Sequence, residues 1–293
     1  MVNNLNIQEN KTLVSIVIPC YNQANYLADA VESVISQSYR PIEIIIVNDG
    51  STDSTQEEAE RLRVRHLDLN IKVISQNNSG LSAARNRGFS ESNGQFVLPL
   101  DSDDKIMPLM IEHCIAVFSE NPNVSFVYTH TQNFGINNNL IKTPVYTLQK
   151  LLIDNYHPYC SLIKKTSWAR VGGYKSNMKY GYEDWDLWIS LLEHQEYGLL
   201  VDEPLFLYRI RENSMLSSAR KHDTVLRAQI VVNHFALFSK HTINIASTIL
   251  SENYTKYQEI IFLFFYYFDA KNMKRFMKIL MKNISGVIFP ENK

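Results

Sequence analysis

Three carboxylates crowd into four residues at Asp101, Asp103 and Asp104, directly after the apolar run from Gln95 to Leu100. Such crowding costs free energy unless a cation compensates it. Mg2+ and Mn2+ take carboxylate oxygens and keep coordination positions open for substrate phosphates. A solvated acidic turn capping the next helix has the same spelling, but a place at the end of a buried strand favours the metal. A second cluster runs from Val47 to Asp53. Its Asp49 can accept from a base N–H or a ribose hydroxyl, and Gly50 lets the backbone approach closely. By itself, Asn-Asp-Gly is an everyday turn. A third, from Asn77 to Asn86, sets Gly80 and small residues ahead of Arg85. The planar fork of Arg85 suits either a phosphate or a carboxylate at the sheet edge. In the fourth, Tyr182 to Trp188, three acids interleave with two tryptophans. An apolar wall would tune Asp184 as a general base; the plain alternative is a surface helix with its tryptophans buried. The last, Tyr208 to Ser214, carries Arg209 and Arg211 at alternate positions. They face the charge developing on a leaving diphosphate, or are ordinary surface cations.

The elements that must position these residues alternate. Leu13 to Ile18, Ile42 to Val47, Lys72 to Ile74 and Gln95 to Leu100 read as strands. Ala24 to Gln37, Thr55 to Arg65 and Leu81 to Phe89 read as helices between them. Alternation predicts an α/β fold with a mostly parallel central sheet and right-handed crossovers. Ligands in such sheets bind at the carboxyl ends of the strands. Three polar clusters stand there, Cys20-Tyr21-Asn22, Asn48 to Asp53 and Asp101 to Asp104, and they should converge on one edge. After Thr131 the pattern is less regular, with a Gly172-Gly173 turn and a helix near Trp185 to Glu193; beyond Arg220 it is helical and aromatic.

Taken in order, PCYN, VNDGSTDST, NSGLSAARNRG, LDSDD, GYEDWDLW and YRIRENS resemble the inverting glycosyltransferases of family 2 over roughly Leu13 to Ser217. The resemblance implies a GT-A fold, Rossmann-like, as residues 1–217: a nucleotide-binding half over about 12–130 and an acceptor-binding half over 131–217. Residues 218–293 form a C-terminal helical extension outside it. It implies that Asp49 binds the donor base, with Pro19 and Tyr21 lining the same pocket, and that Asp101 is the acid on the ribose or diphosphate side. Asp103 looks like the metal ligand, for Mn2+ or Mg2+, and Asp184 like the catalytic base. Arg85 joins the nucleotide site, Arg209 and Arg211 the phosphates, and Glu183 and Trp185 the acceptor. The implied donor is a nucleotide-diphosphate sugar, with uridine as its base. The implied acceptor is a saccharide or lipid-linked saccharide of a bacterial surface polysaccharide or glycolipid. One departure stands out: many relatives read Tyr-Arg-x-His where this chain has Arg211. An arginine stays protonated and cannot replace a histidine as metal ligand, though it can bind phosphate.

A sugar-nucleotide pyrophosphorylase would need a glycine-rich basic loop where Pro19-Cys20-Tyr21-Asn22-Gln23 stands. A non-catalytic binding module would have no need of Asp49, Asp101, Asp103 and Asp184 together. With 45% hydrophobic and 20% charged residues, the 293-residue chain is ordinary for a globular protein. A net charge of -1 speaks against nucleic acid as partner. Cys20, Cys114 and Cys160 lack metal spacing and fit a reduced, cytoplasmic setting. The polar N-terminus lacks a signal-peptide core. The nine residues from Ile260 to Phe268 are too few to span a bilayer, which takes roughly 20. Charge gathers at the end: from Leu216 on there are eleven Lys or Arg against five Asp or Glu, a balance of +6 that leaves -7 for the first 215 residues. Lys271, Lys274, Lys278 and Lys282 at helical spacing suit a peripheral helix over 271–293 on the inner face of an anionic membrane. The same helix would also suit packing on the catalytic domain or on a second copy of the chain in a homo-oligomer.

Overall fold

The computed structural model describes residues 12–145, 147–212 and 219–251. Strands β1 (Val14–Cys20) and β2 (Ile42–Asn48) are runs of β-branched residues buried almost throughout. Such runs suit strands covered on both faces. Between them, α1 (Ala24–Ile35) buries Leu27, Ala30, Val31 and Val34, the single stripe of an amphipathic helix. Next come α2 (Thr55–Arg65), β3 (Asn70–Ser75), α3 (Leu81–Ser90), β4 (Phe96–Pro99), β5 (Lys105–Ile106) and α4 (Met110–Glu120). The second half holds β6 (Phe126–Gly135), β7 (Leu140–Ile141), α5 (Leu148–Leu151), β8 (Leu162–Lys164), α6 (Lys165–Arg170), α7 (Glu183–Glu193) and β9 (Gly198–Ile210). Two further helices, α8 (Asp223–Asn233) and α9 (Phe235–Ser251), close the described chain.

Among the described residues the sheet has nine strands, in the order β3-β2-β1-β4-β8-β6-β9-β5 with β7 paired to β6. The pairs β3–β2, β2–β1, β1–β4 and β6–β9 are parallel, whereas β8 is antiparallel to both β4 and β6, and β5 to β9. The expected mostly parallel sheet is thus present. The chain builds outward from β1 to β3 and then returns to place β4 on the other side of β1. Loops after β1 and β4 therefore diverge, which opens a crevice at the carboxyl ends.

Side chains alternate between two cores. Ile16, Ile18, Ile44 and Ile46 meet α1 and α4 on one face. Val17, Ile45 and Val47 meet Phe89, Trp168 and Trp188 on the other. Helix α4 was absent from the expected elements, although its buried Met110, Ile111, Cys114 and Phe118 form an apolar stripe. Strand β3 is longer than expected because it pairs with β2 from Glu43 to Asn48. Leu226, Ile230, Phe238 and Ile245 of α8 and α9 share the second core with Trp185 and Trp188. These contacts join α8 and α9 to the core behind α7. The expected surface helix over 271–293 and the apolar run from Ile260 lie outside the described residues. Among the described residues no helix is long and apolar enough to cross a membrane.

Candidate functional site

The three strand-end clusters do converge. Asn22, in the left-handed region at φ 54°, accepts with its Oδ1 from the amides of Thr52 and Asp53 at 2.8 and 3.3 Å. This ties the loop after β1 to the loop after β2. Gly50 turns at φ +72°, and a Cβ there would lie 2.7 Å from the Asn78 nitrogen. That turn presents Asp49, whose carboxylate accepts from Gln76 Nε2 at 2.7 Å and from the amides of Ser79 and Gly80 at 2.9 and 2.8 Å. A cavity of about 420 Å³ opens here, lined among others by Pro19, Tyr21, Asp49, Asp101, Asp103 and Arg211.

The three acids of the turn after β4 have three different jobs. Asp104 is 1% exposed and accepts from the Arg209 amide at 2.7 Å and the Tyr159 hydroxyl at 2.6 Å. Burial and its acidic neighbours push its carboxyl well above the usual range. Asp104 therefore pins β9 to the turn. Asp101 pairs with Arg85 Nη2 at 2.7 Å. Asp103 pairs with Arg211 Nη2 at 2.8 Å; burial and Asp101 raise its carboxyl, and Arg211 pulls it back.

Two arginines make several contacts within the protein. Arg85 is 1% exposed and spends its fork on Asp101 and on Glu183, the latter at 2.6 Å, between the Tyr159 and Tyr174 rings. It thus meets the sheet-edge carboxylate, the second of the two uses its sequence position allowed. Arg209 donates to the Asp103 carbonyl at 2.7 Å and to Asp29 at 2.8 Å, and lies over Phe134. Both Arg209 and Arg211 line the same cavity as Asp103, and Arg211 pairs with the Asp103 carboxylate.

A metal must therefore fit a sparse donor set. Among the described residues no three His, Cys, Asp or Glu side chains converge as ligands. Asp101 and Asp103 each have one oxygen on an arginine. One or two carboxylates completed by substrate phosphates and water suit Mg2+ and Mn2+. The residues present fit an ion that arrives with a diphosphate.

A larger cavity of about 690 Å³ adjoins the first, sharing Leu81, Asp101 and Tyr208 as walls. The first turn of α7 forms one side of it. Tyr182, the residue before that helix, is left-handed at φ 61°, a conformation costly for an aromatic residue. It delivers Glu183 and Asp184 side by side. Glu183 is held by Arg85, while Asp184 is half-buried and accepts from Asn155 Nδ2 at 3.0 Å. Burial pushes Glu183 up to about 7 against the pull of Arg85, and raises Asp184 as well. Trp185 is 2% exposed and gives its indole N–H to the Leu151 carbonyl at 2.6 Å. It offers the cavity a wall rather than a donor.

The sequence profile described as "Glycosyl transferase family 2" matches residues 15–174, more than half of the chain. The chain belongs to glycosyltransferase family 2. It is 30% identical over 185 residues to the chondroitin synthase of Pasteurella multocida, covering 62% of this chain and 19% of that one. It is 26% identical over 291 residues to the minor teichoic acid biosynthesis protein GgaB of Bacillus subtilis, covering 95% and 30%. The chain thus spans less than a third of the length of these relatives. Among solved structures, S. aureus TarS 1-349 in complex with UDP-GlcNAc superposes with a TM-score of 0.66 at 19% identity, over 94% of this chain and 81% of that one. The mannosyltransferase PcManGT from Pyrobaculum calidifontis, in complex with GDP-Man and Mn2+, does so at 0.58 and 14%, over 97% and 89%. At these identities the likeness establishes the GT-A fold.

The two cavities are also bordered or braced by residues that the motifs did not reveal. Asn155 and Tyr159 touch Asp184 and Asp104 from the loop after α5, and their only trace was the polar-aromatic stretch Asn155-Tyr156-His157-Pro158-Tyr159. Gln76, just past β3, holds Asp49 through its side-chain amide. From α8, Asp223 and Arg227 line the larger cavity, and they lie beyond the matched segment.

Proposed function

We propose that this enzyme transfers a sugar from a UDP-sugar to an acceptor hydroxyl with inversion of the anomeric centre, during synthesis of a surface polysaccharide or glycolipid. The observation that carries the proposal is the adjoining pair of cavities, one walled by Asp49 and Asp103, the other by Asp184. Asp49, with Pro19 and Tyr21, binds the base, and Asp101 takes the ribose or diphosphate side. Asp103, aided by Asp101, would hold Mn2+ or Mg2+, which when bound neutralises charge on the departing diphosphate. Arg211 lies beside the same phosphates and Trp185 walls the acceptor.

Asp184 takes the proton of the acceptor hydroxyl as that oxygen attacks the anomeric carbon. The bond from that carbon to the β-phosphate oxygen breaks with its electron pair, and UDP departs. A carboxylate raised by burial is the stronger base, and a general base contributes on the order of 10²–10⁴-fold to rate. One displacement inverts configuration. Relatives named for chondroitin synthesis and teichoic acid biosynthesis support a role in making a polysaccharide. The neighbours solved with UDP-GlcNAc and with Mn2+ support donor and ion.

The test is incubation with a panel of UDP-sugars and saccharide acceptors, reading UDP release and the anomeric configuration of the product by NMR. Inverted product is expected. Asp184→Asn should lose about 10²–10⁴-fold in kcat while binding UDP as before. Retained configuration, or an undiminished Asp184→Asn, would contradict the proposal.

A further inference from the structure

Asp184 is aimed by a ring of contacts of which only the loop 153–155 lies within the segment matched to the family. Asn155 Nδ2 donates to Asp184 Oδ2 at 3.0 Å. The two residues before Asn155 are gripped by Arg227 of α8, whose Nη1 donates to the Ile153 carbonyl at 2.7 Å and whose Nη2 pairs with Asp154 at 2.9 Å. The Nε of Arg227 donates to both oxygens of Asp223 at 2.9 Å. Asp223 Oδ1 also accepts from the Tyr182 hydroxyl at 2.6 Å. The ring starts at Tyr182, in its left-handed conformation before α7, and ends at Asp184 in the first turn of that helix.

Packing alone does not need this arrangement, because Leu226 and Ile230 already seat α8 in the core. Arg227 is nonetheless 6% exposed, with its guanidinium 4.9 Å from the Trp185 ring. Burying a guanidinium is costly unless its hydrogen bonds are met. Here two of the nitrogens hold the loop after α5, and the third holds Asp223 of α8 and through it Tyr182 at the start of α7. Such a satisfied network rigidifies what it joins.

We propose that Arg227 is a positioning residue for sugar transfer: through the loop 153–155 it fixes the direction of the Asp184 carboxylate, so that α8 completes the active site. This rests on the reading of Asp184 as the base. No residue of α8 lines the donor cavity, so UDP affinity is an internal control.

The test uses the full chain, with UDP-N-acetylglucosamine and the other UDP-sugars as probes, and compares wild type, Arg227→Lys, Asn155→Ala and the double variant. Lysine keeps the charge and loses the fork. Arg227→Lys should lose on the order of 100-fold in kcat, with the dissociation constant of UDP kept within about twofold. The double variant should lose no more than the worse single one, since both act through one route. A kcat for Arg227→Lys within about threefold of wild type overturns the proposal, and so do losses that multiply in the double variant. If Arg227→Lys does not fold, Tyr182→Phe deletes one oxygen from the same ring. A kcat about tenfold lower at unchanged UDP affinity then supports the proposal, and an unchanged kcat overturns it. Failure of the underlying reading shows in the wild type alone, as UDP binding without turnover of any donor.

Discussion

Neighbouring carboxylates in this enzyme are told apart by what surrounds them. Glu183 is 5% exposed and pushed up to about 7 by burial. Its folded value lies above the ordinary 4.5, so between pH 4.5 and about 7 the folded protein binds more protons than the unfolded chain. Stability from this group is full below that window, falls as pH rises through it, and is flat above it. The thermal midpoint of wild type, compared with Glu183→Gln from pH 4.5 to 8, should therefore decline relative to the variant up to about pH 7. Parallel curves would show that Glu183 is ionised throughout. Asp49 and Asp103 were legible as candidates because residue type and strand-end position narrow the chemistry, and Asp184 because acids interleave with tryptophans around it. Their neighbours' partners were not. Arg85 meets Glu183 from 98 residues away, and Arg209 meets Asp29 from 180. Separations of that kind leave no mark in local spacing, so Arg85 and Arg209 read equally well as phosphate ligands.

The elements of the first half carry strong periodic signals, and β1, α1, β2, α2 and α3 lie where periodicity puts them. What periodicity does not give is the distance between layers. Helix α3 lies against β1 at Gly88, where a Cβ would come within 2.2 Å of Val17 Cγ1. That closeness keeps Arg85, one turn earlier, beside the acid turn. Gly88→Ala should cost about 1–3 kcal/mol by overpacking, read as a lower urea midpoint at unchanged m. An unchanged midpoint would mean that α3 shifts freely, and Arg85 with it. The second half was less legible because its sheet mixes directions. The three-residue β8 sits antiparallel between β4 and β6, and β6 pairs with β9 across a register shift at Thr129/Thr131. Such pairings are chosen by the whole sheet rather than by alternation along one strand.

Over the whole molecule, the chain beyond residue 217 was expected as a helical extension because the resemblance ends there; α8 and α9 place Leu226, Ile230, Phe238 and Ile245 in the core that backs α7. Leu226 and Ile230 cover the side of the sheet where Trp185, Leu187 and Trp188 lie. A chain ended at residue 212 should lose cooperative unfolding and expose that surface, read as increased dye binding and a lower thermal midpoint than the full chain. A truncated chain with the full midpoint would show the extension to be an independent unit. Charge asymmetry was a sound reading of composition, but apolar spacing within α8 decides where it packs. The claim that most of the chemistry depends on is a diphosphate site built on Asp103. Calorimetric titration of UDP with and without Mn2+, on wild type and Asp103→Ala, tests it most directly. The expected result is UDP binding that Mn2+ strengthens in wild type and leaves unchanged in Asp103→Ala. UDP binding equally well in both proteins with or without Mn2+, or not at all, would contradict it.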